Sequence, residues 1–166
     1  MTTTNPTSSV HFTNQIIPKG TLRIFRKFPD KDPEMLFSED NLIVLQGRQY
    51  ILRSLYETGT FNPITALHVG IGGTIDPEGR YTKQVNQTLT SLFTPLLSVP
   101  VSYVQNTTTP STTFVSDLDQ ETGNGSLITE AGLFHTDGTM FNIKTFPGIP
   151  KTSEFSLHFE WTVKVA

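Results

Sequence analysis

The sequence predicts a mostly β fold: an antiparallel two-sheet β-sandwich with one packed α-helix and an extended N-terminal arm. Three observations carry this expectation. Of 166 residues, 26 are Thr and 12 are Phe, residue types that suit a pleated, half-buried surface. Charged residues make up 16%, below the roughly 25% usual in soluble domains. The closing stretch FSLHFEWTVKV alternates without a break. Phe155, Leu157, Phe159, Trp161, Val163 and Val165 take one face, and Ser156, His158, Glu160, Thr162 and Lys164 the other, as in a strand with one side in a core and one in water. The length suits one domain with one core. Residues 1–19 are assigned to the arm and 20–166 to a single sandwich domain.

The elements follow in chain order. Residues 1–19 hold too few apolar positions to pack as an element alone and end in IIPKG, so a flexible or partner-bound arm is expected. TLRIFRKF reads as a strand from Thr21 to Phe28. Its RIFRKF portion reads as an edge strand carrying Arg and Lys outward, and PDKDP breaks it because its prolines fix φ and remove backbone donors. MLFSEDNLIVLQ suggests a hairpin turning at Ser38 to Asn41. In GRQYILRSLYETG, Ile51, Leu52, Leu55 and Tyr56 draw one apolar stripe on a helix, with Gly59 placed for a left-handed C-cap. ITALHVGIGG alternates as a strand and runs into an exposed loop, GTIDPEGRYTKQVNQT. LLSVPVSYVQ and TTFVSDL are two further strands around the NTTTPS turn, with Pro100 demoting the first towards an edge or a bulge.

ITEAGLFHTDGTMF differs from the closing strand. Leu127, Thr129, Ala131 and Leu133 alternate with Ile128, Glu130, Gly132 and Phe134, so both faces carry apolar groups and a central strand covered on both sides is expected. Gly132 then allows a close approach, and Thr136-Asp137-Gly138 turns the chain towards Thr139. Glu130 in such a place must be paired or hydrogen-bonded, with Lys144 or Arg48 as candidate partners. It reads as a structural or interface carboxylate, not a catalytic one.

Composition removes several function classes. With no Cys there is no disulfide framework, thiolate zinc site or Cys nucleophile. A net charge of −3 without a basic cluster argues against nucleic-acid binding. No apolar run is long enough for a membrane helix, and MTTTNPTSSV lacks the features of a secretion signal, so a soluble protein not exported by the usual route is expected. Asn86-Gln87-Thr88 and Asn106-Thr107-Thr108 match the glycosylation pattern by the chance a Thr-rich chain affords.

No constellation of catalytic, cofactor-binding or metal-ligating residues emerges. GIGGT, Gly70 to Thr74, lacks the Lys and hydroxyl of a phosphate loop, since Ile75 and Asp76 follow, and reads as a strand exit using positive φ. Asp117, Asp119 and Glu121 start like a calcium loop, but Thr122 and Ile128 occupy the places of its Gly and its bidentate Glu, so a solvated turn is expected. His11, His68, His135 and His158 have no ligand spacing, and no Ser sits in a nucleophile elbow. Glu130 and Glu160 could form a catalytic pair only if the fold brought them together.

The order NLIVLQGRQYILRSL, ITALHVGIGGT, NQTL and ITEAGLFHTDGTMFNIKTFPGIPKTSEFSLHFEWTVKV resembles a family of small virion structural proteins of tailed bacteriophages, over most of residues 41–165. The apolar TSLFTPLLSVP departs from that pattern, and residues 1–40 have no counterpart in it. The resemblance implies a tail, baseplate or fibre-attachment component without catalytic activity, located in the virion and assembled in the host cytoplasm. Its implied partners are other virion proteins and further copies in a symmetric homo-oligomer. A capsid decoration or cement protein is the alternative, and a carbohydrate-binding module with Trp161, Tyr81 or Tyr103 as a stacking platform is a further one. The phase of Trp161, shared with Phe159 and Val163, places it in the core and against that last reading.

Overall fold

In a computed structural model, which describes residues 18–78 and 80–165, the period-two patterns become nine strands and the one helical pattern becomes one helix. They run β1 (Pro18–Lys27), β2 (Glu34–Ile43), α1 (Leu45–Arg53), β3 (Ile64–Gly70), β4 (Pro95–Pro100), β5 (Ser102–Asn106), β6 (Ser111–Leu118), β7 (Leu127–His135), β8 (Asn142–Pro150) and β9 (Ser156–Val165). Every pairing is antiparallel. The arm expected at residues 1–19 lies outside the described residues except for Pro18 and Lys19, which already belong to β1.

Two separate sheets were expected; the strands instead form one, in the order β4-β3-β7-β8-β2-β1-β9-β6-β5, curled until it is nearly a closed barrel. Two changes of partner produce this. β2 follows β1 for most of its length and then passes to β8 at Leu42 and Ile43. β4 and β5 are separated only by Val101, yet β4 pairs with β3 at one end of the sheet and β5 with β6 at the other. Pro100 makes that corner, because it offers no N–H to a ladder, and the Ser116 hydroxyl donates to its carbonyl at 2.7 Å. The Val101 N–H donates to the Thr65 carbonyl at 3.1 Å, which extends the β3–β4 ladder by one rung, and it is the Ser116–Pro100 bond that links β6 to β4 across the gap.

The core follows the closing strand. Leu157, Phe159 and Trp161 are at most 1% exposed and meet Leu22, Ile24, Leu133 and Phe146 inside the curl, while His158, Glu160 and Thr162 stay half-buried on the outer face. β7 is the central strand expected from its two apolar faces: Ile128, Ala131 and Leu133 enter the main core, and Phe134 packs in a second cluster with Val44, Leu92, Met140 and Ile143. The turn after it is also as read, with Gly138 at φ +83° and the His135 N–H donating to the Thr139 carbonyl.

Several local expectations are corrected. RIFRKF is not an edge, because β9 pairs with β1 over ten residues and β2 covers the other side; its cations instead meet carboxylates, Arg26 with Glu34 at 2.6 Å and Lys27 with Asp117 at 3.7 Å. No hairpin turns at Ser38 to Asn41. Those polar residues run through one continuous β2, Ser38 to Asp40 exposed and Asn41 half-buried, the Thr21 hydroxyl donating to Asp40 at 3.0 Å, and the real hairpin is made by PDKDP between β1 and β2. The loop after β3 is largely exposed as expected, with Ile75, Tyr81, Gln84 and Thr88 open to solvent, while Val85 and, beyond the loop, Leu89 and Leu92 pack on the outer cluster.

Of the apolar stripe, only Ile51 packs on the barrel, and the most buried contact of α1 lies outside the stripe. Gly47 is its buried residue, set so close to the Phe141 carbonyl that a Cβ there would overlap it, and Ile51 touches the main core. Leu52, Leu55 and Tyr56 are 58, 77 and 72% exposed. The helix ends at Arg53 with Ser54 in right-handed geometry, so Gly59 caps nothing. None of the helices among the described residues is long and apolar enough to cross a membrane.

Candidate functional site

Glu130 is fully buried on β7 and has no cationic partner among the described residues. Its carboxylate accepts three backbone N–H bonds: Gly72 and Thr94 donate to Oε1 at 3.0 and 2.7 Å, and Phe93 donates to Oε2 at 2.8 Å. The expected partners are engaged elsewhere. Lys144 pairs with Glu39 at 2.7 Å, and the Arg48 guanidinium donates to the Ile43 carbonyl at 3.0 Å. Amide donors suffice because a loop that leaves the ladder has unsatisfied N–H groups that must find an acceptor when buried. The donors come from both ends of the segment joining β3 to β4, so one side chain ties the two ends of that loop together and holds them against the sheet.

The GIGG glycines belong to this clasp. None of Gly70, Gly72 and Gly73 has positive φ, so the expected reason for them is corrected. They are needed for space. A Cβ on Gly70 would sit 2.5 Å from Glu130 Oε1, one on Gly72 would sit 2.5 Å from Thr94 Oγ1, and one on Gly73 would overlap the Thr129 carbonyl. The Gly73 N–H also donates to Thr129 Oγ1 at 2.9 Å. Gly132 follows the expected logic of close approach, for its Cβ would lie 2.6 Å from the Asn142 carbonyl.

A second polar centre was not foreseen. Lys151 is 1% exposed, and its ammonium donates to the Thr152 carbonyl at 2.8 Å, Asn124 Oδ1 at 3.0 Å and the Gln120 carbonyl at 3.4 Å. The acidic SDLDQETGNG segment, weighed as a cation loop, thus wraps an internal cation. Burial pushes the Lys151 ammonium below the usual lysine range, while Asp119 and Glu121 pull it back. A signal for this was present in the sequence as a charge between Pro150 and Thr152, but its significance depends on a loop 27 to 31 residues away.

The histidines do not converge. His11 lies outside the described residues. His68 stacks on Phe134 at 3.9 Å, and burial lowers its pKa. His158 lies on the outer face, its Nδ1 2.8 Å from Asp117 and its Nε2 3.5 Å from Glu160. Glu160 is therefore occupied there, and Glu130 with its three amides; the two are not brought together. His135, read as surface or hydrogen-bonded, is buried, stacked on Tyr50 at 3.9 Å and linked through Nδ1 to the Asn62 carbonyl at 2.8 Å. An acceptor at Nδ1 places the proton there and leaves Nε2 bare. Among the described residues there is no group of three His, Asp or Glu side chains able to hold a metal ion.

Burial holds the His135 imidazole below its ordinary value of 6.5, against weaker upward pulls from Asn62 and Asp137. The native state then binds this proton more weakly than the unfolded chain. Stability is fully present above pH 6.5 and is lost as pH falls below it towards the depressed native value. The midpoint of thermal unfolding is expected to drop between pH 7 and pH 5. His135→Phe should flatten that slope in part, leaving the share due to His68; an unchanged slope would remove His135 from the account.

Part of the exposed apolar surface lies near one opening, while Met35, Ile71, Ile75, Tyr81, Leu96 and Leu127 are exposed outside its lining. Beyond the Val101 corner, β5 and the start of β3 diverge, and two adjoining clefts of about 470 and 360 Å³ lie between them, sharing Ile51, Ile64, Phe114 and Phe141 in their walls. Among the described residues no Asp, Glu, Lys or Arg lines either cleft. On the rim is Tyr103 of β5, 68% exposed, with Val104, 66% exposed, on the strand's other face; α1 adds Tyr50, Ile51 and Ser54 to the wall, while its uncovered Leu52 and Tyr56 line a separate cleft with Arg53 and Asp137. Of the proposed stacking platform, Trp161 is 1% exposed and unreachable, and Tyr81 lines a different cavity from Tyr103. The chain matches no protein-family model, no curated protein and no solved structure.

Proposed function

We propose that this chain is a non-catalytic structural component of a bacteriophage virion, in the tail, baseplate or a fibre attachment, that assembles through contacts with other virion proteins and with its own copies. The observation that carries the reading is the exposed apolar surface on the two elements that flank the open end of the barrel: Leu52, Leu55 and Tyr56 on α1 and Tyr103 and Val104 on β5. Large apolar groups grouped in this way mark contact surfaces more often than free ones. The polar centres support the same reading, because Glu130 and Lys151 are both consumed in holding loops in place and neither faces a cleft. The order of sequence motifs, which resembles phage virion proteins, supplies the particle.

Immunogold labelling of purified particles tests this. Label on the tail or baseplate supports it, label on the head supports the decoration-protein alternative, and particles free of the chain sink both. A companion measurement concerns the helix. Replacing Leu52, Leu55 and Tyr56 together by Ser should change folding stability by no more than about 0.5 kcal/mol per site, as for other surface positions, yet reduce incorporation into particles. Loss of the fold in that variant would show the stripe to be internal packing instead.

A further inference from the structure

The opening between β5 and the start of β3 has the properties of a strand-acceptor site. β5 is laddered to β6 alone, so one row of its N–H and C=O groups faces the cleft without a backbone partner among the described residues. Free edges are ordinarily protected by charge, proline or a bulge. β5 has none of these: SYVQN is uncharged, all five residues are exposed, and the neighbouring NTTTPS turn is uncharged too. Below the edge lie Phe114, Phe141, Ile51 and Ile64, an apolar floor on which alternate side chains of an added strand would be buried.

The chain itself contains a segment of matching chemistry. Residues 1–17 carry no Asp, Glu, Lys or Arg, and they include Val10 and Phe12 at alternate positions and the pair Ile16-Ile17. They join the described structure at the right place. Pro18 pairs with Val165, and two residues on, Gly20 pairs with Val163, a wall residue of the cleft. At about 3.3 Å per residue, an extended segment of this length reaches roughly 55 Å, enough to pass from one molecule to the next.

We infer that the cleft beside β5 receives residues 1–17 of a second copy of this chain as an added strand. The inference rests on the assembly reading in preferring a second copy to the molecule's own segment, since an exchanged strand links subunits and a retained one only completes a monomer. Such a contact joins unlike surfaces, so it closes into a ring or extends as a filament.

The absence of cysteine makes the test direct. Phe12→Cys and Gln105→Cys are made in separate full-length chains, mixed and oxidised; Gln105 lies on the exposed edge and Phe12 in the donor segment. Disulfide-linked pairs containing one chain of each kind are expected, at least tenfold above those formed when Gln105→Cys is replaced by Asp30→Cys in the remote β1–β2 turn. A Gln105→Lys chain should keep its circular dichroism spectrum and lose its oligomers in sedimentation. Cross-linking no better than at the control position overturns the inference, as does a bond that forms only within a doubly substituted chain. Particles that carry the chain without exchanged strands defeat this inference and leave the assembly reading intact; exchanged strands in a chain absent from particles do the reverse.

Discussion

Glu130→Ala is expected to lower stability by at least about 3 kcal/mol, because three amide donors lose their acceptor at once and each orphaned donor costs roughly 1 kcal/mol or more. For a chain of this length that corresponds to a thermal midpoint lower by about 6 °C or more. Glu130→Gln separates hydrogen bonding from volume. It keeps one oxygen and turns an NH2 group towards a backbone N–H, so at least one of Gly72, Phe93 and Thr94 loses its partner, at about 1–3 kcal/mol. The damage should also be local in kind. Amide exchange at Gly72, Phe93 and Thr94 should accelerate by more than exchange in β9, where the ladder is untouched. A Gln variant as stable as the parent, with unchanged exchange at those three amides, would mean the clasp contributes nothing.

Trp161→Ala is the second large effect expected, about 3–5 kcal/mol for truncating a fully buried aromatic residue, out of a total stability of the order of 5–15 kcal/mol. Urea titration followed by circular dichroism measures it. Trp161→Phe should cost markedly less. The indole Nε1 has no hydrogen-bond partner in the core, so its loss orphans no other group and the remaining difference is ring volume. The comparison also addresses the glycan alternative. If Trp161 were a stacking platform, its replacement would abolish binding and spare the fold, the opposite of what its position predicts.

Where hydrophobic period and burial coincide, the structure was legible from residue order. β9 shows this best, since its alternation, its inner face and the placement of Trp161 were all readable, and β7 shows it too, down to Gly132 and the Gly138 turn. The errors arose where a residue's role depends on something far along the chain. RIFRKF has the charges of an edge, and only the pairing with β9, more than a hundred residues later, makes it central. SEDN has the composition of a turn, yet a long strand open to water on parts of both faces can hold the same residues. The stripe on α1 is real, but a stripe shows only that a face seeks an apolar neighbour, and that neighbour need not belong to the same molecule. Partner changes at Ile43 and Val101 turned two expected sheets into one, and nothing in local sequence distinguishes a corner from a break.

The polar centres were half legible. A Glu between apolar neighbours on a central strand had to be satisfied, and it is; the error lay in seeking a cation for it. Three glycines elsewhere in the chain were the better signal, because backbone that lacks side chains can approach a carboxylate closely enough to bond it. Lys151 is the converse case, a buried cation satisfied by loop oxygens and no carboxylate contact within bonding distance.

The position of β9 has a consequence for how the molecule is made. It is the most C-terminal of the described strands, yet it sits between β1 and β6, with ladders along both sides. Until Ser156 and the residues after it emerge, β1 and β6 each present an open row of amides, and the sheet consists of two unjoined portions. A nascent or clipped chain that lacks this strand therefore exposes long adhesive edges in a crowded compartment. Pairing of β9 is therefore the step that joins the two portions, and the long edges of β1 and β6 stay open until it occurs.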